Sequence, residues 1–355
     1  MRRGTVATTE SNFVLKKGSA CKKQVIYCQL WVQSPLAGLL WVLGCYGIVF
    51  VNKYTKRLCK HFFFGSFVNK SIIRLIMSLE FSGKVAVITG GGGVLCSTMA
   101  TALAQKGAKI AVLDLKLENA EKVANDINEK GGNAIGVACN VLDINSLKTA
   151  HATVSEKLGP CDILINGAGG NHPKGTTSKN HLFEEDLTAN EELKTFFDLD
   201  PEGIKFVFDL NFIGSLLPTQ VFAKDMIGRE GCTVINISSM NAFRPLTKIP
   251  AYSGAKAAIS NFTQWLAVHF AKVGIRVNAL APGFFLTEQN RTLLTTADGS
   301  LTDRGNTIIA HTPMGRFGEA EDLTGTLLWL CGDGSKFITG VVIPIDGGFS
   351  AFSGV

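Results

Sequence analysis

A tyrosine and a lysine four residues apart, Tyr252-Ser-Gly-Ala-Lys256, offer the first chemistry in this sequence. In a helix that spacing puts both side chains on one face, a turn apart. A free phenol has a pKa of about 10 and is a poor base at neutral pH. A neighbouring positive charge favours the phenolate and lowers that pKa, which would make Tyr252 an acid/base group. Ser239 lies thirteen residues earlier, after the apolar run Val234–Ser238, where its hydroxyl can orient a carbonyl or alcohol oxygen. Asn211, in the preceding helical stretch, could hold a water that relays protons to Lys256. A lone Tyr-x-x-x-Lys is common by chance; four polar residues at matched positions are not.

A second constellation reads as a nucleotide site. Gly90, Gly91, Gly92 and Gly93, then Val94 and Leu95, join an apolar run to a helical stretch. Glycines there let the backbone approach a pyrophosphate, and the helix N-terminus supplies free N–H groups. Asp114 ends the next apolar run, where it can accept from a ribose 2′-OH and would repel a 2′-phosphate; this favours NAD(H) over NADP(H). Asn140 and Val141 would flank an adenine. Asn166, Gly167 and Ala168 leave room for a flat ring, and Pro282, Gly283 and Thr287 fall where the nicotinamide end would lie.

The elements that must position these residues alternate. Val85–Thr89, Lys109–Asp114, Asn133–Ala138, Asp162–Asn166, Thr233–Ser238, Arg276–Ala281 and Gly340–Ile345 read as short strands. Helical stretches separate them, including Leu117–Lys130, with Leu117, Ala120, Val123, Ala124 and Ile127 on one face, and Ile144–Leu158. Short strands alternating with longer helices predict an α/β fold, a single doubly wound parallel-sheet Rossmann domain. Ligands bind such sheets at the carboxyl ends of the strands, where the candidate residues lie.

Charge divides the chain. Residues 1–78 hold twelve Lys/Arg and one acid, a balance of +11; the remainder holds 23 basic and 28 acidic residues, a balance of −5. The body therefore has no basic face for nucleic acid. No charge occurs from residue 24 to 52, and the apolar heart Leu36–Val51 is sixteen residues long, against about 20 for a bilayer span. Residues 1–78 are thus an N-terminal extension of upstream or disordered sequence, or a membrane anchor at 30–51; residues 79–355 are the nucleotide-binding domain. Met77 begins a run that could itself start a soluble enzyme. The nine cysteines are scattered, with no C-x-x-C pair and no metal spacing, so no metal is expected and a reducing, cytoplasmic location fits. The alternative is tethering to a membrane through the N-terminal segment.

Taken in order, the glycine turn, Asn166-Gly-Ala-Gly169, Asn211, Ser239, Tyr252 with Lys256, and Pro282-Gly283 resemble the short-chain dehydrogenase/reductase family, across all of residues 79–355. The resemblance implies that Ser239 positions substrate, Tyr252 is the acid/base, Lys256 binds the ribose and lowers the Tyr252 pKa, and Asn211 completes a relay. It also implies a homotetramer or homodimer. One departure stands out: Val94 and Cys96 occupy two positions where the family commonly has glycine. Cys96, in the first turn of a helix, is either a tolerated small residue or a thiol of lowered pKa open to oxidation.

Two long segments, 170–203 and 284–313, should overhang the nicotinamide and set the substrate. They and the stretch just beyond carry Asn171, His172, Lys174, Gln289, Asn290, Arg291 and Arg316. Polar donors with Lys/Arg suit a polyhydroxylated substrate bearing a carboxylate. Asn166–Lys174, Pro282–Arg291, Thr312–Gly318 and the tail Asp346–Val355 resemble the D-mannonate oxidoreductase (fructuronate reductase) branch, which implies D-fructuronate + NADH ⇌ D-mannonate + NAD⁺. Another sugar-acid or polyol dehydrogenase, such as a gluconate 5-dehydrogenase, shares much of this pattern. A non-catalytic nucleotide sensor or scaffold is the reading from a different class.

Overall fold

The computed structural model of the protein describes residues 80–188, 192–287 and 290–354. The extension 1–78, with the possible anchor at 30–51, lies outside the described residues, as does Gln289. Seven parallel strands form one sheet in the order β3-β2-β1-β4-β5-β6-β7. They are β1 Val85–Thr89, β2 Lys109–Asp114, β3 Asn133–Ala138, β4 Ile163–Asn166, β5 Thr233–Ile237, β6 Arg276–Pro282 and β7 Val342–Ile345. Parallel neighbours need crossovers, and helices supply them on both faces. Covered on both sides, the central strands are apolar throughout: Val85, Ala86, Val87 and Ile88 are all buried.

Among the described residues the helices before β5 are α1 Val94–Gln105, α2 Leu117–Glu129, α3 Ile144–Lys157, α4 Pro201–Phe208 and α5 Gly214–Phe222. After it come α6 Pro250–Phe270, α7 Arg291–Leu294, α8 Asp303–Ala310 and α9 Thr324–Cys331. Two buried clusters sandwich the sheet. One gathers Ile88, Met99, Leu103, Ile110, Ile165, Leu280 and Leu327; the other gathers Val87, Leu147, Leu164, Phe222, Val234 and Val277.

Local chemistry sets the element ends. Asp143 caps α3, its carboxylate accepting from the Asn145 N–H at 2.8 Å. Asp200 caps α4 in the same way and Pro201 opens that helix, where a missing N–H costs nothing. Between α4 and α5 the helix widens into a π-turn at Asp209–Ile213; the Ser215 hydroxyl donates to the Asn211 carbonyl there at 2.9 Å. The expected element bounds hold to within two residues. Strand β7 starts at Val342 and not at Gly340, whose φ of +81° turns the chain before the ladder begins. Leu117 departs from its expected place on the buried face of α2: it is the first helical residue and stays 40% exposed, and the helix is buried from Ala120 on.

Candidate functional site

The carboxyl ends of β1, β2 and β4 meet at the glycine turn. Gly90 has φ +62°, and a Cβ there would lie 2.9 Å from the Ala168 Cα; only glycine lets the β1 and β4 turns close on each other. Thr89 ties them together, its hydroxyl accepting from Gly167 N–H at 3.1 Å and Ala168 N–H at 3.2 Å. That residue was missed in the sequence; a hydroxyl directly before the glycine run was the available signal. Gly93 precedes α1 with no side-chain cap and no acid in the first turn, so the first N–H groups of the helix, including those of Val94 and Leu95, are open to an anion. Asp114 stands beside them, accepting from Gly92 N–H and Lys116 N–H, each at 3.1 Å. Each carboxylate oxygen keeps acceptor capacity for a sugar hydroxyl. Open helical N–H groups beside a carboxylate at the end of β2 fit a nicotinamide dinucleotide.

Two further nucleotide-site residues are more structural than expected. The Asn166 side chain is buried, its amide donating to Thr219 Oγ1 at 2.9 Å and Asn236 Oδ1 at 2.8 Å. Both donors are spent inside the fold, so what that turn presents is the backbone of Gly167 to Gly169. Asn140, past β3, accepts from Leu142 N–H at 3.0 Å and shapes a turn at the sheet edge, with Val141 buried behind it. Past β6, Gly283 N–H bonds Ile345 O at 2.9 Å, and Thr287 N–H bonds Asn290 Oδ1 at 2.8 Å.

Ser239, Tyr252 and Lys256 come together at the ends of β5 and the start of α6. Ser239 caps the turn Met240–Ala242 and its hydroxyl hydrogen-bonds to the Tyr252 phenol. The protein packed around the Tyr252 ring pushes its pKa up, and the Ser239 hydrogen bond offsets this only in part, although the ring keeps some solvent access. Lys256 lies 5.6 Å from the Tyr252 ring centroid and donates to the Ile237 carbonyl at 2.7 Å. Burial pulls the Lys256 pKa down to about 8. At neutral pH most of the ammonium therefore persists, next to a phenol that holds its proton.

Asn211 sits in the π-turn, fully buried. Its amide donates to Gly170 O and to Val207 O, each at 2.7 Å, and its Oδ1 accepts from Gly170 N–H at 3.2 Å. A Cβ on Gly169 would fall 2.7 Å from Asn211 Oδ1 and 3.2 Å from Lys256 Nζ, so these three residues are in close approach. The Asn211 side chain thus holds the turn after β4 against the lysine, with both amide donors spent on backbone carbonyls and acceptor capacity left at Oδ1.

Most of the side chains expected to meet substrate are engaged with other groups of the protein. Asn171 donates to Thr176 Oγ1 at 3.0 Å, and the His172 ring accepts from Lys174 N–H at 3.2 Å while packing edge-on to Phe206. Lys174 pairs with Asp200 at 2.9 Å. Asn290 clamps its own loop through Thr287 N–H and Phe285 O. Arg316 is held by both oxygens of Asp322, at 2.7 and 3.0 Å. Arg291 opens α7. These polar contacts tie the described parts of the long segments to the fold, a use the residue types alone did not separate from ligand binding.

Cys96 is buried, and burial raises its thiol to about 12. The reactive-thiol alternative is corrected: removal from water outweighs the favourable charge of Lys256 nearby. A Cβ on Gly167 would lie within bonding distance of the Cys96 sulfur, so the thiol fills the space that glycine leaves.

A family model described as short chain dehydrogenase matches residues 84–298. An uncharacterized oxidoreductase of Haemophilus influenzae is 61% identical over 277 residues, which are 78% of this chain and 96% of that protein. The uncharacterized oxidoreductase UxuB of Bacillus subtilis is 52% identical over 277 residues, 78% of this chain and 98% of that one. Among solved structures, a Haemophilus protein provisionally named a D-mannonate oxidoreductase, with NAD bound, superposes with a TM-score of 0.75. It is 58% identical, and the match covers 79% of this chain and 100% of that one.

Proposed function

The chain belongs to the short chain dehydrogenase family, and from that premise we propose that it is an NAD(H)-dependent reductase of a keto sugar acid, D-fructuronate, giving D-mannonate. That it is an oxidoreductase follows from the family. The meeting of Ser239, Tyr252 and Lys256 beside an anion-binding helix terminus carries the chemical assignment. The substrate rests on the name of the NAD-bound Haemophilus relative and on segments that are polar and ordered. NAD(H) over NADP(H) rests on Asp114, whose charge opposes a 2′-phosphate.

When bound, the nicotinamide supplies hydride to the ketone carbon. Tyr252 donates its phenol proton to the ketone oxygen as charge develops there, and the Ser239 hydroxyl hydrogen-bonds the same oxygen. The Lys256 ammonium stabilises the phenolate that results and hydrogen-bonds the ribose. Asn211 keeps Gly169 and Gly170 against Lys256, a positioning role beside the expected water relay. Small-molecule substrate, a homotetramer or homodimer, and the cytoplasm complete the reading; the free, buried cysteines Cys96, Cys139, Cys161, Cys232 and Cys331 suit a reducing compartment.

The test is NADH oxidation at 340 nm with D-fructuronate, with 5-ketogluconate and with no ketone. Turnover with fructuronate alone supports the assignment. Turnover only with 5-ketogluconate keeps the mechanism and moves the substrate to that of a gluconate 5-dehydrogenase.

A further inference from the structure

Ser239 and Tyr252 are the two groups assigned above to the ketone oxygen, and the chain between them carries an exposed cation, Arg244. Arg244 lies one turn past Ser239: its N–H bonds the Met240 carbonyl at 3.0 Å, directly after the turn that Ser239 caps. From Arg244 the chain runs to Pro250, the first residue of the helix that bears Tyr252. The stretch is fastened on two sides. Thr177 N–H bonds Lys248 O at 2.9 Å and Thr247 Oγ1 bonds Asn180 Oδ1 at 3.0 Å, which ties it to the 170–203 segment. Arg244 Nε donates to Ser350 O at 3.0 Å, which ties it to the C-terminal tail. Ser350 is itself fixed, its N–H bonding Asp346 Oδ2 at 2.9 Å.

Among the described residues Arg244 makes no ion pair with a carboxylate, unlike three cations of the long segments and the stretch just beyond them. Lys174 is paired with Asp200, Lys179 with Asp186, and Arg316 with Asp322. Arg244 is exposed, and its hydrogen bond goes to a neutral carbonyl through Nε. A guanidinium held at Nε has its two terminal nitrogens side by side, the fork that a carboxylate accepts with two parallel hydrogen bonds.

We propose that Arg244 is the residue that recognises the carboxylate of the substrate, with the Ser350 carbonyl setting the plane of its fork. The inference rests on the keto-acid reading above and deepens it. A carboxylate held at Arg244 is fixed on the same short stretch that leads from Ser239 to Tyr252, so gripping one end of the substrate aligns the ketone at the other. Binding at that distance from the reacting carbon is uniform between ground and transition states, so it acts on KM.

Steady-state kinetics with the full chain, its R244Q and R244K variants, and K248Q as the neighbouring-charge control decide the matter. With D-fructuronate, R244Q raises KM at least tenfold, leaves kcat within about twofold and leaves the KM for NADH unchanged; R244K recovers part of the loss, and K248Q stays near wild type. An unchanged fructuronate KM in R244Q, an equal fall in NADH affinity, or the larger KM effect in K248Q overturns the assignment. A wild-type chain that does not turn over D-fructuronate sinks the keto-acid reading and this inference with it, and is told apart by needing no variant.

Discussion

At the residue scale, the site trades stability for a charge. Lys256 is buried with its pKa lowered to about 8 from an unfolded value of about 10.5. Between those values the unfolded chain binds the extra proton, so this group makes the fold more stable as pH rises and least favourable below pH 8. K256M is therefore expected to melt a few degrees above wild type at pH 7, with the gap closing as pH approaches 10, while ketone reduction is lost. The same titration predicts that the reductive kcat/KM is flat below about pH 8 and declines above it as Lys256 loses its charge, Tyr252 still holding its proton. Y252F should reduce turnover by several orders of magnitude with NADH affinity retained. Tyr252, Lys256, Ser239 and Asp114 stand out in the sequence as candidates because the proposed chemistry asks for those side chains at fixed places along the fold. The partners of Lys174, Asn290 and Arg316 were not, because a hydrogen bond across tens of residues leaves no local pattern. Arg244 was missed for a related reason: nothing marks a cation as unpaired until its neighbours are seen paired.

At the scale of elements, turns carry the tightest constraints. Gly169 packs where a methyl group would displace Asn211 Oδ1 or Lys256 Nζ. G169A is expected to lower kcat at least tenfold while the circular dichroism spectrum is unchanged; wild-type kcat in that variant would remove the positioning role given to Asn211. Strands and helices were readable from periodicity, since a sheet covered on both faces leaves apolar runs and helices on its surface leave amphipathic ones. The π-turn at Asp209–Ile213 was invisible, because it depends on a side-chain bond from Ser215 to Asn211 within an otherwise helical run. Cys96 shows a different limit: its first-turn position left a reactive thiol open beside a tolerated small residue, and the packing against Gly167 shows it to be sealed. Brief treatment of the native protein with N-ethylmaleimide, followed by peptide mass mapping, should leave Cys96 unmodified.

At the scale of the whole molecule, the acidic body and the basic extension are separable by composition. The Haemophilus and Bacillus relatives match over 96% and 98% of their lengths, and each match takes up 277 residues of this chain. Residues 77–355 expressed alone should turn over ketone with the kcat of the full chain to within about twofold. The strand order has a consequence for how such a chain is made. Strand β2 joins β1, β3 joins β2, β4 takes the other side of β1, and β5, β6 and β7 each follow on the strand before. During synthesis from the N-terminus no strand has to wait for a neighbour still unmade, and none is wedged between two already paired. The sheet can therefore be laid down on the ribosome from its middle outward, one edge at a time, with the C-terminal tail the last piece to arrive.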